Sequence, residues 1–332
     1  MNDHILISIN AWQEQDLLQT MRSAIVTSDS PDKLKFSIFY EGFKFEEKNF
    51  SDLGVKVFLI NAQSSELFGM GLSRLVASTI NDRDYKYHLQ IDSHMFFEKG
   101  WDTYLKNQYE ILKQKYEKPI ITAYTPWWEY VNNKPKLFGK SDIDIYEYNG
   151  PENIYGSLLV VSENDIRISP ALVGTPIDWD KEEHEFKEHY MISAHFMFSS
   201  PDLHREILAD PFITWGGDEP IYALRASTRG WKMFTVKKTI LCHKNKWTSV
   251  EGKNVLTQKE DWRSGVSSTY NKNRQYSDKL ILDILLGRYF GYWGAPDLNS
   301  LKQYEKNIGI DFIDYYKKDG NKSFPYWEGF DE

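Results

Sequence analysis

The most constraining feature of this sequence is a regular alternation of short apolar runs and helix-like patterns over its first third. The apolar runs are typical of buried strands and cover residues 5–9, 34–40, 55–60, 87–91 and 119–123. Apolar residues recur at helical spacing in the intervening stretches 17–25, 72–79 and 101–116. Strands separated by helices predict βαβ units, and therefore an α/β fold with a mixed, mostly parallel, Rossmann-like sheet flanked by helices.

The rest of the chain is less regular and ends in helical patterns. Proline, glycine and charged residues punctuate residues 126–190, which predicts long loops over the face of the sheet that carries the ligand site. Strands are expected at 193–198 and 233–236, and helices at 201–209, 220–228, 278–289 and 301–316. Since no repeat or flexible linker interrupts the chain, we expect a catalytic domain over residues 1–250 and a helical extension over 251–332 packed on it.

The net charge, the number of cysteines and the length of the apolar stretches exclude some classes of protein and disfavour others. Its net charge of −8 disfavours a general nucleic-acid binder, because such proteins normally carry a basic surface. Cys242 is the only cysteine, which rules out an internal disulfide and fits a reducing compartment. No stretch reaches 18 apolar residues, so the sequence predicts a cytoplasmic protein with no membrane partner.

Asp92 and His94 follow directly after the apolar run at 87–91, in the segment QIDSHM. Ligands of open α/β sheets bind outside the carboxyl ends of the strands, and residues two apart on an extended segment point to the same side. A carboxylate and an imidazole placed in this way can share a divalent cation, Mn²⁺ more readily than Mg²⁺, with diphosphate oxygens completing its shell. The alternative is that Asp92 caps a turn and His94 is an ordinary polar residue.

The segment WGGDEP at 215–220 is a second candidate site. Two glycines let the backbone approach a ligand closely, and Asp218 and Glu219 then open a helix. The functional interpretation places at least one of these carboxylates beside a sugar, where it binds hydroxyls or stabilises an oxocarbenium-like centre. The simpler interpretation is a tight turn followed by acidic residues, which the helix dipole favours at that position.

Single basic residues supply weaker candidates. His243 ends a strand-like run and is a candidate third metal ligand, with Lys244 available to phosphate oxygens. Arg74 opens a helix after two glycines and is a candidate diphosphate contact, although surface charge is the alternative. Motifs of P-loop kinases, NAD enzymes, zincins and serine hydrolases are absent from the sequence.

Four other histidines are expected to have no role in the site. His195 lies in the apolar segment AHFMF and is expected to be a hydrogen-bonded core residue. His184, His189 and His204 lie in charged or helical surroundings and are expected at the surface.

Taken together, these segments resemble the glycosyltransferases related to the cytoplasmic enzyme that adds N-acetylglucosamine to hydroxyproline of a ubiquitin-ligase subunit. Four stretches carry the resemblance, residues 7–24, 87–105, 118–128 and 194–244, and the QIDSHM segment followed by Trp101-Asp102 is the most specific. The resemblance implies a GT-A fold, a UDP-sugar donor (UDP-GlcNAc in the best-known members), Mn²⁺ or a similar cation, and retention of anomeric configuration.

The resemblance also implies roles for particular residues. The D-x-H metal motif of the family falls on Asp92 and His94, its late metal-ligand histidine on His243, and its acidic pair on Asp218 and Glu219. The residues expected to contact the donor are Ser8, Asn10 and Trp12 at the nucleoside, and Arg74, Trp215, Gly217 and Lys244 around the diphosphate and sugar. The Gly-Ala-Arg segment of the family is one residue longer here, which leaves the role of Arg74 open. Which of the two carboxylates, Asp218 or Glu219, faces the donor is also open.

The acceptor is the least constrained part of the hypothesis. A hydroxyl on a protein is favoured, and a hydroxymethylated DNA base, a glycan or a small molecule are the alternatives. Basic clusters such as Lys237-Lys238 keep DNA open in spite of the acidic total. Two other classes are a carbohydrate-binding protein without activity and a metal-dependent hydrolase, but a pure binder needs neither the D-x-H nor the WGGDE segment.

Overall fold

A computed structural model describes most of the chain. It covers residues 3–42, 47–62, 69–131, 134–138, 158–161, 172–175, 177–214, 216–238, 240–244, 247–250, 253–256 and 268–317. Trp215, one of the predicted donor-site residues, lies outside the described residues.

The strands form one large sheet and three small ones. In chain order they are β1 Ile5–Trp12, β2 Leu34–Glu41, β3 Lys56–Ala62, β4 Tyr87–Asp92, β5 Met95–Phe97, β6 Pro119–Thr122, β7 Trp127–Val131, β8 Lys134–Phe138, β9 Leu158–Val161, β10 Leu172–Thr175, β11 Phe186–His189, β12 Phe196–Ser199, β13 Lys232–Val236, β14 Leu241–Lys244, β15 Trp247–Val250 and β16 Lys253–Leu256. The large sheet has the order β11-β13-β6-β12-β4-β1-β2-β3. Its β1–β2, β2–β3, β1–β4 and β6–β13 pairs are parallel, whereas β12 runs antiparallel to β4 and β6, and β11 to β13.

Helices cover both faces of this sheet. They are α1 Leu17–Thr27, α2 Met70–Thr79, α3 Trp101–Lys115, α4 Asp202–Glu206, α5 Asp218–Ser227, α6 Ser268–Leu285, α7 Leu298–Ile308 and α8 Phe312–Lys317. Alternate residues of a strand point to opposite faces, so Phe196 and Phe198 of β12 join the core beneath α1 and α3, and Met197 joins the core beneath α4 and α5. The predicted α/β fold, with a mostly parallel sheet flanked by helices, is therefore confirmed.

The structure corrects two predictions about irregular regions. Residues 126–190, expected to be long loops, contain five strands, and β7 pairs with β14 from far along the chain to form a sheet of order β5-β14-β7-β8. The single helix expected at 301–316 is two helices, because Gly309 adopts a left-handed conformation (φ 73°) that ends α7.

The helices after residue 268 pack on the sheet domain. Ile281 and Leu285 of α6 share a buried cluster with Ile221 and Leu224 of α5. The hairpin of β15 and β16 spans the position predicted as the domain boundary, residues 250 and 251, so the division into 1–250 and 251–332 stays a prediction.

Two histidines expected at the surface are buried. His189 ends β11 and is 4% exposed, and His204 of α4 is 6% exposed, with its ring centre 3.7 Å from that of His88 and the two ring planes tilted by 39°. Burial lowers the pKa of His189 to about 4, although hydrogen bonds to Thr122 and Met191 act in the opposite direction. Burial lowers the pKa of His204 to about 3.

These buried histidines predict a loss of stability in mild acid. The unfolded chain protonates its histidines near pH 6.5, so the stability is complete above that pH and falls as the pH drops towards the folded pKa values of about 3 to 4. Each histidine contributes a slope of about 1.4 kcal/mol per pH unit in this window. Urea unfolding at pH 7.5, 6.0 and 5.0 measures this slope, and we expect His204→Gln to flatten it and His184→Gln, at an exposed position, to leave it unchanged.

Candidate active site

The Asp92-Ser93-His94 turn lies at the carboxyl end of β4, in the middle of the large sheet. Helix α1 fixes the turn, because the hydroxyl of Thr20 donates to the carbonyl of Ser93 at 2.9 Å and accepts from the amide of Met95 at 2.9 Å. The carbonyl of His94 accepts hydrogen bonds from the amide of Lys244 at 3.1 Å and from the indole of Trp128 at 3.2 Å. The turn is therefore held from three directions.

Strand β14 brings His243 to this turn. The amide of His243 donates to the carbonyl of Pro126 at 2.8 Å, and His243 lies opposite Met95 in the β5–β14 pair. Residue 243 is about 150 positions from Asp92 in the chain, yet the three predicted metal ligands converge: ligand atoms of Asp92, His94 and His243 all lie within 4.8 Å of one another.

The three side chains have the spacing of a metal site. The Nε2 atoms of His94 and His243 are 3.0 Å apart, and Asp92 Oδ2 lies 3.2 Å from His243 Nε2 and 3.9 Å from His94 Nε2. An octahedral ion with bonds of about 2.1 Å has neighbouring ligand atoms about 3.0 Å apart and opposite ones about 4.2 Å apart. The observed distances fall within that range, and one carboxylate with two imidazoles can hold a first-row divalent cation.

Glu14, which the sequence analysis did not single out, orients one of these ligands. Its Oε2 lies 2.8 Å from Nδ1 of His94, and both side chains are buried. A carboxylate on one ring nitrogen holds the proton there and leaves Nε2, the atom that faces Asp92 and His243, as a lone-pair donor. The pair is the usual outer support of a metal-binding histidine.

This contact predicts that Glu14 tunes metal affinity. We expect Glu14→Gln to weaken Mn²⁺ binding about 10-fold and Glu14→Ala about 100-fold, since the imidazole loses its charged orienting partner. Calorimetric titration of Mn²⁺ in the presence of UDP measures the effect. Glu110→Gln is a matched control, because that glutamate pairs with Lys86 and Tyr87 at the surface. Unchanged affinity in both Glu14 variants would contradict the assignment.

Asp92 is ionised in this setting. Burial alone would raise its pKa, but the hydrogen bond with His243 and the charges of His243, Arg74 and His94 hold the pKa well below its usual value. A permanently charged carboxylate is what a divalent cation requires at neutral pH.

Arg74 lies between the Asp92-Ser93-His94 turn, the candidate metal turn, and the second candidate segment. It lies near the start of α2 with its side chain buried, where Nη2 is 3.6 Å from Asp92 Oδ1 and Nη1 donates to Asp218 Oδ2. Gly71, in the same first turn of α2, has no room for a side chain, because a Cβ there would meet the backbone oxygen of Asp210. The close packing holds Arg74 between the two carboxylates.

Asp218 and Glu219 point in different directions. Asp218 faces Arg74 and the metal turn, whereas Glu219 Oε1 accepts from the amide of Ala194 at 2.8 Å, at the start of β12. Burial raises the pKa of Glu219, although the Ala194 hydrogen bond and the charge of Arg74 act against it. Gly217 precedes this pair with φ 100°, and Ile281 of α6 packs against its Cα.

His195 is a second residue whose relation to the site the sequence did not show. Its ring lies between that of Tyr124, stacked at 5.5 Å, and that of His243, at 4.8 Å. Ser193 Oγ lies 2.7 Å from its Nδ1. Burial lowers the pKa of His195 to about 3, with the charge of His243 acting in the same direction, so the ring is neutral at physiological pH. The prediction of a hydrogen-bonded core histidine describes its bonding, but the residue also packs on a candidate metal ligand.

The predicted nucleoside residues lie along β1, next to the metal turn. Asn10 lies opposite Asp92 in the parallel β1–β4 pair, and its Nδ2 is 3.8 Å from Met70 Sδ. Trp12 is partly exposed at the end of the strand. Ser8 is buried in the sheet, where its Oγ lies 2.9 Å from Nε2 of His88. Asn10 and Trp12 thus border the candidate site, and Ser8 lies deeper in the sheet.

Lys244 follows the candidate ligand His243 in β14, and neighbouring residues of a strand point to opposite faces. Lys244 forms an ion pair with Asp16 and lies 5.5 Å from the centre of the Trp128 ring. Its predicted contact with a phosphate would therefore compete with Asp16.

The fold and the site together define an α/β protein with a candidate cation site, flanked by two further carboxylates, at the carboxyl ends of its strands. Ligands of such sheets bind at this edge. The chain belongs to the glycosyltransferase (GlcNAc) family, whose sequence model matches residues 42–313. This family membership agrees with the class that the sequence predicted, and the narrower resemblance to the hydroxyproline-modifying enzymes stays a prediction.

Comparison with solved structures gives distant similarities. The chain is 10% identical to S. aureus TarS, with a TM-score of 0.41 over 73% of this chain and 37% of that one. It is 12% identical to TarS 1-349 in complex with UDP, with a TM-score of 0.44 over 94% of this chain and 80% of that one. The chain thus spans little more than a third of the first of these proteins. No curated protein matches the sequence. Among the described residues, no helix is long and apolar enough to cross a membrane.

Proposed function

We propose that this glycosyltransferase is metal-dependent and retaining, and that it transfers a sugar from a UDP-sugar, with UDP-GlcNAc favoured, to a hydroxyl acceptor. The observation that carries the proposal is the convergence of Asp92, His94 and His243 at the carboxyl edge of the sheet. Hydrolases and sugar-binding proteins can share an α/β fold, but a cation site in a member of a glycosyltransferase family is best explained by a nucleotide diphosphate as leaving group.

The proposed roles follow from the positions of the side chains. Asp92, His94 and His243 hold the cation, Mn²⁺ or less favourably Mg²⁺. When bound there, the cation supplies Lewis-acid stabilisation of the charge that develops on the departing diphosphate. Asn10 and Trp12 border the space for the uridine. Gly217 lets the backbone approach the donor closely.

The structure favours different roles for the two acidic residues of the WGGDE segment. Asp218 pairs with Arg74 and so faces the diphosphate side, where the guanidinium can exchange one carboxylate partner for a phosphate oxygen. Glu219 keeps a raised pKa and one oxygen fixed on Ala194, which suits a group that orients sugar hydroxyls. No dedicated general base is assigned, since in a retaining reaction the leaving diphosphate can take the proton of the acceptor.

A protein hydroxyl is the proposed acceptor, in a cytoplasmic setting. The net charge of −8 opposes the electrostatic attraction that a DNA acceptor would supply. Salt dependence separates the alternatives: affinity for an acceptor DNA containing a hydroxymethylated base would fall steeply with salt, whereas affinity for an acceptor peptide would change little.

The donor half of the proposal is tested by thermal shift with UDP-GlcNAc, UDP-Glc, UDP-Gal and UDP-GalNAc, each with and without Mn²⁺. A ligand that binds the native state raises the Tm by mass action, by an amount that increases with its affinity. We expect the largest shift with UDP-GlcNAc and Mn²⁺, together with slow donor hydrolysis that stops in EDTA. Equal shifts with and without Mn²⁺, or hydrolysis that persists in EDTA, would contradict metal dependence.

A further inference from the structure

Trp127 of β7 is an exposed tryptophan beside a candidate metal ligand. The residue is 54% exposed, whereas the next residue, Trp128, is fully buried. In the part of the chain that the structure describes, the Trp127 ring forms no hydrogen bond, ion pair or ring contact. Its register partner in the parallel β7–β14 pair is His243. Tryptophan is enriched among the residues that dominate binding energy, so an open indole at this position is a candidate ligand contact.

The two tryptophans lie on opposite faces of the small sheet of order β5-β14-β7-β8. Successive residues of a strand point to opposite faces, and register partners on neighbouring strands point to the same face. Trp128 is the register partner of Lys244, whose Nζ lies 5.5 Å from the centre of the Trp128 ring. Trp127 therefore shares the face of His243, from which the imidazole reaches Asp92 at 3.2 Å.

The groups proposed for the donor approach the metal turn from other elements. Asn10 lies opposite Asp92 in the large sheet, and Arg74 reaches Asp92 from α2. In the small sheet, Trp127 lies one strand further than His243 from β5, the strand that continues the metal turn. Since β1 and α2 supply the proposed contacts to the nucleoside and the diphosphate, the indole is available to the acceptor.

The charges around the metal turn favour a positively charged acceptor. The described side chains of the candidate site include four carboxylates and only two permanent cations, namely Glu14, Asp16, Asp92 and Asp218 against Arg74 and Lys244. A divalent cation and the diphosphate of a donor carry opposite charges that largely cancel. The remaining negative charge attracts a cation, and among aromatic side chains tryptophan binds an ammonium or guanidinium best.

We propose that Trp127 binds the acceptor, and that the acceptor is a peptide with a lysine or arginine next to the residue that carries the hydroxyl. The basic group packs on the exposed face of the indole and holds the hydroxyl beside the donor. The chain forms the same kind of contact on the other face of the sheet, between Lys244 and Trp128. One such contact gives a weak salt dependence, far below that of a DNA acceptor. The inference rests on the proposed function, because it assumes a donor at the metal turn.

Transfer to short peptides tests this inference. The probes are acetylated pentapeptides with a central serine or threonine, flanked on both sides by lysine, arginine, glutamate, leucine or glycine. With UDP-GlcNAc and Mn²⁺, we expect kcat/KM for the lysine and arginine peptides to exceed that for the glycine peptides about 3- to 10-fold, and the glutamate peptides to be the poorest. Trp127→Ala should abolish this preference by raising KM for the basic peptides, with KM for UDP-GlcNAc within about twofold.

Two conservative variants separate the aromatic face from its apolar area. Trp127→Phe keeps a ring and should retain part of the preference for basic peptides, whereas Trp127→Leu keeps apolar surface only and should lose it. Because the side chain is exposed, all three variants should keep the Tm of the parent protein. A preference that survives in Trp127→Leu or Trp127→Ala would overturn the inference, and so would a large fall in Tm in all three.

Donor hydrolysis distinguishes failure of this inference from failure of the proposed function. A parent protein that hydrolyses UDP-GlcNAc with Mn²⁺ but shows no preference for basic peptides would overturn the inference alone. Transfer to a glycan or to DNA with a hydroxymethylated base, in place of the peptides, would do the same. Absence of both hydrolysis and transfer would overturn the proposed function together with the inference that rests on it.

Discussion

Asp92→Ala is expected to reduce turnover of UDP-GlcNAc about 100-fold or more, and His94→Ala is expected to do the same. Each change removes one of three ligand atoms that lie 3.0–3.9 Å apart, so an ion loses both affinity and position. The remaining two side chains leave too much of the shell to water for the charge of the diphosphate to be stabilised. The measurement is donor hydrolysis as a function of Mn²⁺ concentration.

The controls for Asp92→Ala and His94→Ala must distinguish loss of metal binding from loss of folded protein, so the Tm of each variant is measured with its activity. Asp92 also pairs with Arg74, so Asp92→Ala leaves a buried guanidinium with Asp218 as its remaining acidic partner and is expected to lower the Tm. His94→Ala keeps that ion pair, and Asp202→Ala, at an exposed position, affects neither property. Full activity in either site variant, or full activity of the parent protein in EDTA, would exclude the metal mechanism.

The sequence indicated the Asp92-Ser93-His94 turn as a candidate metal site because the signal was local. An apolar run that ends at Asp92, with His94 two residues on, needs only the rules for strand ends and side-chain alternation. His243 was only a weak candidate until the family resemblance supported it, since the β5–β14 pair that brings it to the turn joins segments almost 150 residues apart. Position in the sequence carries no information about such a contact.

Glu14 and His195 show what local patterns cannot supply. Glu14 reaches His94 from the loop after β1, and His195 reaches His243 from the residue before β12. Neither position has a distinctive spacing, because each acts on a ligand of another element. Packing also separated Asp218 from Glu219, which are adjacent in sequence but face Arg74 and Ala194 respectively.

The region after residue 268, for which the sequence suggested no role, contacts the segment that carries Asp218 and Glu219 at both of its ends. Ser277 of α6 accepts a hydrogen bond from the amide of Thr214 at 3.1 Å, and Arg229 at the end of α5 donates to the carbonyls of Gly291 and Gly294. These contacts hold both ends of the segment that carries the acidic pair. The region after residue 268 therefore stabilises the position of the segment that carries Asp218 and Glu219.

Gly217→Ala is expected to have the largest effect on stability, with a loss of about 2–5 kcal/mol in the free energy of unfolding. A side chain at φ 100° is strained by about 1–2 kcal/mol. Its Cβ would also lie 2.4 Å from Cδ1 of Ile281, and overpacking of this kind costs about 1–3 kcal/mol. Because Gly217 precedes Asp218 directly, the shift that relieves the clash moves the start of α5, and we expect donor turnover to fall as well.

The neighbouring glycine provides the matched control. Gly216 also has a positive φ, 62°, but a Cβ there would meet nothing within 4 Å, so Gly216→Ala should cost only the backbone strain of about 1–2 kcal/mol. Ile281→Val in the Gly217→Ala background removes Cδ1, the atom in closest contact, and should recover part of the lost stability and activity. Urea unfolding of the parent protein, Gly217→Ala, Ile281→Val and the double variant measures the coupling as a double-mutant cycle. If Gly216→Ala and Gly217→Ala are equally destabilised and Ile281→Val restores nothing, α6 does not position the acidic pair.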